Sequence, residues 1–282
     1  MICGKEYSLK LLVLAVLMSF SSSCATFQPP DANGPRSNAK PYPIELSPVN
    51  IAVSTSAWKR LAQISGAKVI TPPSFNHATG TISGLPPTVS GAIFLPKVGD
   101  NAHQTEEDTR EALRRFITIW QDLIGANLNE LSLLERVDDA SGVKLARYEQ
   151  KPFRYPLRGS FGSLLIRFTN DGRVVDLSSS CIPDIDKLQN AISNVTLPDD
   201  REAVLSKLKG TTFEVTDSNG THKFSVPSNA SLELHDLVVY AMPAKDDSSV
   251  IEAYLAWEIR WPDGPLRTIY FDAVNEAVIA GS

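Results

Sequence analysis

A chain of 282 residues, 43% apolar and 21% charged, is an ordinary globular composition that can bury a core without disulfide or metal staples. Its formal net charge of −5 argues against nucleic acid as a partner, because such a surface needs a basic excess. No Lys/Arg cluster offsets that balance.

The first residues carry Lys5 and Lys10, then the apolar run "LLVLAVLMSF", then "SSSC" ending at Cys24. A basic start, a short apolar stretch and small residues before a cut describe an export signal over 1–23. The run is too short to cross a bilayer, which takes about 20 apolar residues. A plain secretory signal leaves the placement of Cys24 unexplained. "SSSC" resembles a bacterial lipobox, although Ser21 stands where Leu is usual. The resemblance implies cleavage before Cys24 and acylation of its thiol; a soluble secreted form and an uncleaved anchor are the alternatives. Cleavage removes Cys3 and lipidation consumes Cys24, so Cys181 is expected alone, as a small buried hydrophobe. Ala25 after the cysteine, rather than Asp, fits sorting to the outer membrane of a Gram-negative cell.

Residues 24–50 are dense in Pro, Asn and Ser without periodicity, so a flexible tether is expected there. About 25 residues of coil reach on the order of 30 Å, enough to hold a folded body off a membrane. The stretch 51–104 is the least readable. "AWKRLAQISG" (57–66) suggests a short helix stopped at Gly66, and "TGTISGLPPTVSGAIFL" suggests extended pieces broken by Gly and Pro.

The clearest helix follows. Thr105 and Asp108 make a capping pattern. Ala112, Leu113, Phe116, Ile117, Trp120, Leu123 and Ile124 then recur at helical spacing, up to a stop at Gly125. Strands are expected at 143–150, at 163–168 and at 173–178, the last two joined through Asn170-Asp171-Gly172. A second cycle begins with a helix capped by Asp199 and Glu202 and stopped at Gly210. "TFEVTD" and "THKFSVP" then pair across Ser218-Asn219-Gly220, and three longer strands follow. Ala253, Leu255, Trp257, Ile259 and Trp261 share one face of the middle one, the alternation of a half-buried antiparallel sheet. A hairpin over Asp272-Ala273 and Val278, turning at Asn275-Glu276, closes the pattern. The expected fold class is α+β: two consecutive helix-plus-antiparallel-sheet modules.

Chemistry is harder to find. Of His77, His103, His222 and His235, no two stand one helical turn apart, so a His-Glu-x-x-His zinc site is not indicated. No G-x-S-x-G elbow or glycine-rich phosphate loop occurs. The pairs Asp138-Asp139, Asp199-Asp200 and Asp246-Asp247 sit beside turn-forming residues and read as solvated loop charge. No catalytic, cofactor or metal site is therefore expected. Trp257 and Trp261 read as core before they read as a docking stripe. Exposed strand edges are the remaining candidates, since an edge is a template for an extended peptide.

One family carries this pattern. "ALRRFITIWQDLIG" followed by "VKLARYEQKPFRYPLRGSFGSLLIRFTNDGRVVDLSSS" resembles the fungalysin/thermolysin propeptide (FTP) motif. Arg147, Tyr148 and Gln150 match its strand, and Pro156 and Gly159 its loop. "LVVYAMP", "AYLAWEIRW" and "RTIYFDAVNEAVIAG" resemble the PepSY module that follows in those zymogens. Asn275 and Glu276 stand where Thr and Gly are usual. The resemblance spans about 105–282. It implies an FTP-like module at 105–183 and a PepSY-like one at 184–282, each with cystatin-like packing of helix on sheet, preceded by an N-terminal part at 51–104. In that family these modules chaperone and inhibit a zinc metallopeptidase attached after them. Here the propeptide-like region ends the chain. The expectation is therefore a non-enzymatic, lipid-anchored envelope protein that binds a secreted metallopeptidase in trans. The alternatives are a scaffolding module with no protease link, the front of a truncated zymogen, and a small enzyme whose site goes unrecognised.

Overall fold

The computed structural model describes residues 42–67, 72–86, 93–99, 105–138, 142–151, 154–196, 201–217 and 220–282. The leader expected over 1–23, Cys24 and the tether up to residue 41 lie outside them. The fold is α+β, with helices laid on several antiparallel sheets.

The first element corrects the tether. Residues 44–46 form a strand, β1 (Ile44–Leu46), instead of coil running to Asn50. Ile44 is buried, and the strand is held by pairing far along the chain. Three residues inside a Pro-rich stretch are too few to show a period. Helix α1 (Ala52–Ile64) begins five residues ahead of the expected stretch and buries Ala57, Trp58, Leu61 and Ala62. Two short strands, β2 (Ser74–Phe75) and β3 (Ile82–Gly84), make a small hairpin.

Helix α2 (Glu106–Ile119) has the expected cap. The Thr105 hydroxyl accepts from the Asp108 amide at 3.1 Å, and the Asp108 carboxylate accepts from the Thr105 amide at 3.0 Å. Those bonds hold the Asp108 carboxyl below its usual range. The helix breaks at Trp120 and resumes as the single turn α3 (Gln121–Ile124), which ends at Gly125 with φ 79°. A Cβ there would run into the side chains of Thr81 and Pro183, so glycine is required twice over.

Beneath α2 lies a four-stranded antiparallel sheet in the order β4 (Leu131–Asp138), β5 (Val143–Gln150), β7 (Ser163–Thr169) and β8 (Val174–Ser179). Strand β6 (Leu157–Gly159) falls between β5 and β7 in sequence but leaves this sheet. Ala112, Leu113, Phe116 and Ile117 of α2 pack on Ala146, Tyr148, Leu164, Ile166 and Phe168 to make the first core. The Asp171-Gly172 turn closes β7 onto β8 as the sequence suggests.

The second half adds α4 (Ile185–Ile192), which the sequence reading missed, and α5 (Arg201–Leu208). Strands β9 (Thr212–Asp217) and β10 (Gly220–Ser225) pair as a hairpin. A larger sheet runs β14 (Val278–Gly281), β13 (Thr268–Asp272), β12 (Ile251–Arg260), β11 (Glu233–Pro243) and β6. Here the expectation of two consecutive modules needs correction. β6 crosses from the first stretch to pair parallel with β11, and β1 takes the half of the β12 edge that β13 leaves open. Gly159, at φ 98°, lets β6 approach so closely that a Cβ would strike the Ala241 carbonyl. The described residues accordingly fall within one compact unit.

Two polar contacts reinforce these crossings. The Tyr42 hydroxyl donates to Asp272 at 2.7 Å and accepts from the Leu255 amide at 3.0 Å. Asp272, 2% exposed, also accepts from the amides of Val274 and Asn275, fixing the last hairpin and the N-terminal strand together. Arg158 of β6 reaches Glu149 of β5 at 2.8 Å and Glu258 of β12 at 3.1 Å, tying one sheet to the other.

Candidate functional site

The residues that carried the family resemblance turn out to hold the framework. Tyr148 is buried in the first core, and burial pushes its phenol up to about 12. Gln150 is fully buried and clamps the segment joining the two halves. Its Nε2 donates to the Ile182 carbonyl at 2.9 Å, and its Oε1 accepts from the Ile182 amide at 2.7 Å. A side-chain amide thus does what a neighbouring strand would do. Arg147 is exposed, 3.9 Å from Glu135.

The other candidates disperse. Cys181 is buried in the first core, and burial pushes its thiol up to about 12. Trp257 and Trp261 are buried in a core shared with Ile259, Ile269 and Phe271, and do not form a docking stripe. His77 and His222 are exposed on separate elements, and His235 lies 3.7 Å from Glu233. Asp247 caps the Ser249 turn, which holds its carboxyl below the usual range. His103, Asp139, Asp199 and Asp200 lie outside the described residues.

The strand edges are unequal. On the far side of β8 the chain folds back: Ile93 accepts from the Val174 amide, Leu95 donates to the Gly172 carbonyl, and the Thr81 hydroxyl donates to the Ser179 carbonyl at 2.6 Å. β14 lies against β9, and β6 is only three residues long. β4 differs. Among the described residues, β5 is the one strand that pairs with it, so its other edge presents unbonded backbone amides and carbonyls. Leu133, Leu134 and Val137 are 42%, 58% and 42% exposed. A bulge between Leu133 and Glu135 breaks the ladder, and Glu135 and Arg136 follow it. Bulges and charges of this kind restrain indiscriminate edge pairing. What is left is an eight-residue, partly apolar template that a matching strand can join.

A second feature opens one residue before β4. The first turn of α1, the α3–β4 connection and the linker at Pro183–Asp186 enclose a groove of about 500 Å³. Val49, Val53, Ala126, Pro183 and Ile185 give it an apolar lining, and Asp122, Glu130, Asp184 and Asp186 give it an acidic rim. Its walls are fastened: the Ser54 hydroxyl donates to the Asp122 carbonyl at 3.1 Å, and the Arg60 guanidinium lies 5.1 Å over the Trp120 ring. Asp184 adopts φ 55°, a left-handed conformation that turns the linker into α4. Helix α4 could have been found from the spacing of Ile185, Leu188 and Ile192. The groove could not, because its residues span positions 49 to 186.

No helix among the described residues is long and apolar enough to cross a membrane, and none of their His, Cys, Asp and Glu side chains cluster to hold a metal ion. No protein-family model matches the chain, and the search of curated proteins returns no match.

Proposed function

We propose that this chain is a non-catalytic protein of the bacterial envelope, anchored by lipid on Cys24, that works by taking an extended segment of another polypeptide onto β4. The observation that carries the reading is the contrast between β4, whose outer edge is open among the described residues and displays Leu133, Leu134 and Val137, and β8, whose edge the chain itself bonds at both ends. Backbone hydrogen bonds along such an edge supply affinity, and alternate side chains supply selectivity. The bulge at Leu134 adds a shape that a partner strand must match.

The resemblance to FTP and PepSY propeptide modules supports the class of partner. It is a secreted zinc metallopeptidase, which the chain inhibits or helps to fold. A helix on a four-stranded sheet, with Gln150 clamping the way into a second sheet, suits that reading. The step from fold to partner is an analogy, since one fold serves many functions.

The test is recovery of partners from envelopes with the full detergent-solubilised chain, alongside its Leu134→Lys and Val137→Lys variants. The expected result is an exported zinc peptidase held by the parent chain and lost from both variants. A partner that depends on β4 but is no peptidase turns the reading to a scaffolding module. Hydrolytic turnover by the chain alone, abolished by one substitution, overturns it.

A further inference from the structure

We infer that the acidic groove between α1, the α3–β4 connection and the 183–186 linker is a docking site for a Lys- or Arg-bearing extended peptide with apolar residues between its cations. This does not rest on the β4 reading, because a different set of residues carries it.

The argument is one of charge set against shape. The groove is lined by four carboxylates, Asp122, Glu130, Asp184 and Asp186, and by no basic side chain. Lys187, just past the rim, neutralises only Asp184, at 2.6 Å. Glu130 is engaged within the chain, where its carboxylate accepts from the amide of Asn127. Asp122 and Asp186 are exposed and have no ion-pair partner among the described residues. Like charges gathered around one concavity repel, and a cationic occupant relieves that repulsion.

The kind of cation follows from the spacing. The carboxylates ring the groove without converging on a metal-holding cluster among the described residues. A compact divalent ion needs several oxygens at about 2.0–2.6 Å, so a point charge is poorly served. Ammonium or guanidinium groups on flexible stems reach separate carboxylates while their stems lie on an apolar floor. That floor is present: Ile185 and Ala126 are buried beneath the groove. Val53 at its wall and Ile51 just outside it are 56% and 48% exposed, an apolar lip with nothing described upon it. The volume of about 500 Å³ suits a few residues of peptide.

A second groove of about 510 Å³ adjoins this one, sharing Val49, Pro183 and Asp184, and is lined by both Glu45 and Lys187. A peptide leaving the first groove across Asp184 therefore meets further apolar surface, with no net acidic excess beyond the first groove.

The experiment uses the full chain in detergent and a short fluorescent peptide in which Lys alternates with Leu and Ser. The same peptide with Glu for Lys is the comparison. Anisotropy is expected to show the Lys peptide binding and the Glu peptide not, with affinity falling as salt is raised. Asp122→Asn and Asp186→Asn should each weaken binding about threefold, and together about tenfold, while thermal melting stays unchanged. Val53→Arg, which leaves every rim carboxylate in place, should weaken it at least as much by filling the groove with a competing cation. Glu107→Gln on α2 and Leu134→Lys on β4 should leave it unaltered. Equal binding of the Glu peptide, indifference to the three groove variants, or loss confined to Leu134→Lys would each overturn the assignment. So would calcium or magnesium ions alone displacing the peptide at sub-millimolar concentration.

Discussion

The two outer strands of the four-stranded sheet face the same physical problem and meet it differently. β8 has backbone groups bonded at both ends of its outer edge, by Ile93 and Leu95 at one end and by the Thr81 hydroxyl at the other, and Ile93 and Leu95 belong to the core. β4 has a bulge, three charged residues and three half-exposed apolar side chains, but nothing described bonded to its outer backbone edge. A fold that ties one edge down at both ends and only roughens the other has left the second more available. Covered edges contribute to stability, and open ones contribute to recognition. Substitutions on the two sides should therefore separate into one class that unfolds the protein and another that silences it.

The largest effect is expected at the cover of β8. Ile93 is fully buried, and Ile93→Ala should cost about 3 kcal/mol in denaturant unfolding, from lost transfer energy and the cavity left behind. Gln150→Ala comes next, at about 2–3 kcal/mol, because both polar atoms of the buried Ile182 backbone lose their partner. Thr81→Val removes one buried bond to the β8 edge and should cost about 1–2 kcal/mol.

A pH dependence belongs to the covered side as well. The Cys181 thiol, just past β8, is pushed up to about 12 by burial. A raised value means the folded state favours the neutral thiol. The stability this gives is complete below the ordinary thiol value and is lost as pH rises from there toward about 12. At pH 9 the thiol should thus react with a maleimide only at the rate of global unfolding, as read by mass spectrometry. Fast labelling of the folded chain would show the β8 side to be open. The smallest stability change is expected on β4, where Leu134→Lys should shift unfolding by no more than about 0.5 kcal/mol while abolishing partner recovery.

What was legible in the sequence is what is local. Thr105 and Asp108 announce the start of α2, Gly125 its end, and Asp171-Gly172 the β7–β8 hairpin, because each of those geometries is set within a few residues. Pairings set by distant residues left no trace. β1 is ordered by a β12 strand some 200 residues away, and β6 by a parallel partner in the other half of the chain. Gln150 stands in the motif, but its work as a clamp on Ile182 depends on a contact 32 residues along the chain. Edge strands were expected to matter; which edge is open depends on where residues 93–95 travel.

The most direct test of binding through β4 is amide hydrogen exchange on the full chain, alone and with the polypeptide that co-purifies with it. The account predicts that residues 131–138 exchange quickly in the free chain and slow on binding, while 174–179 are slow in both states. Slowing elsewhere with none at 131–138 would contradict it.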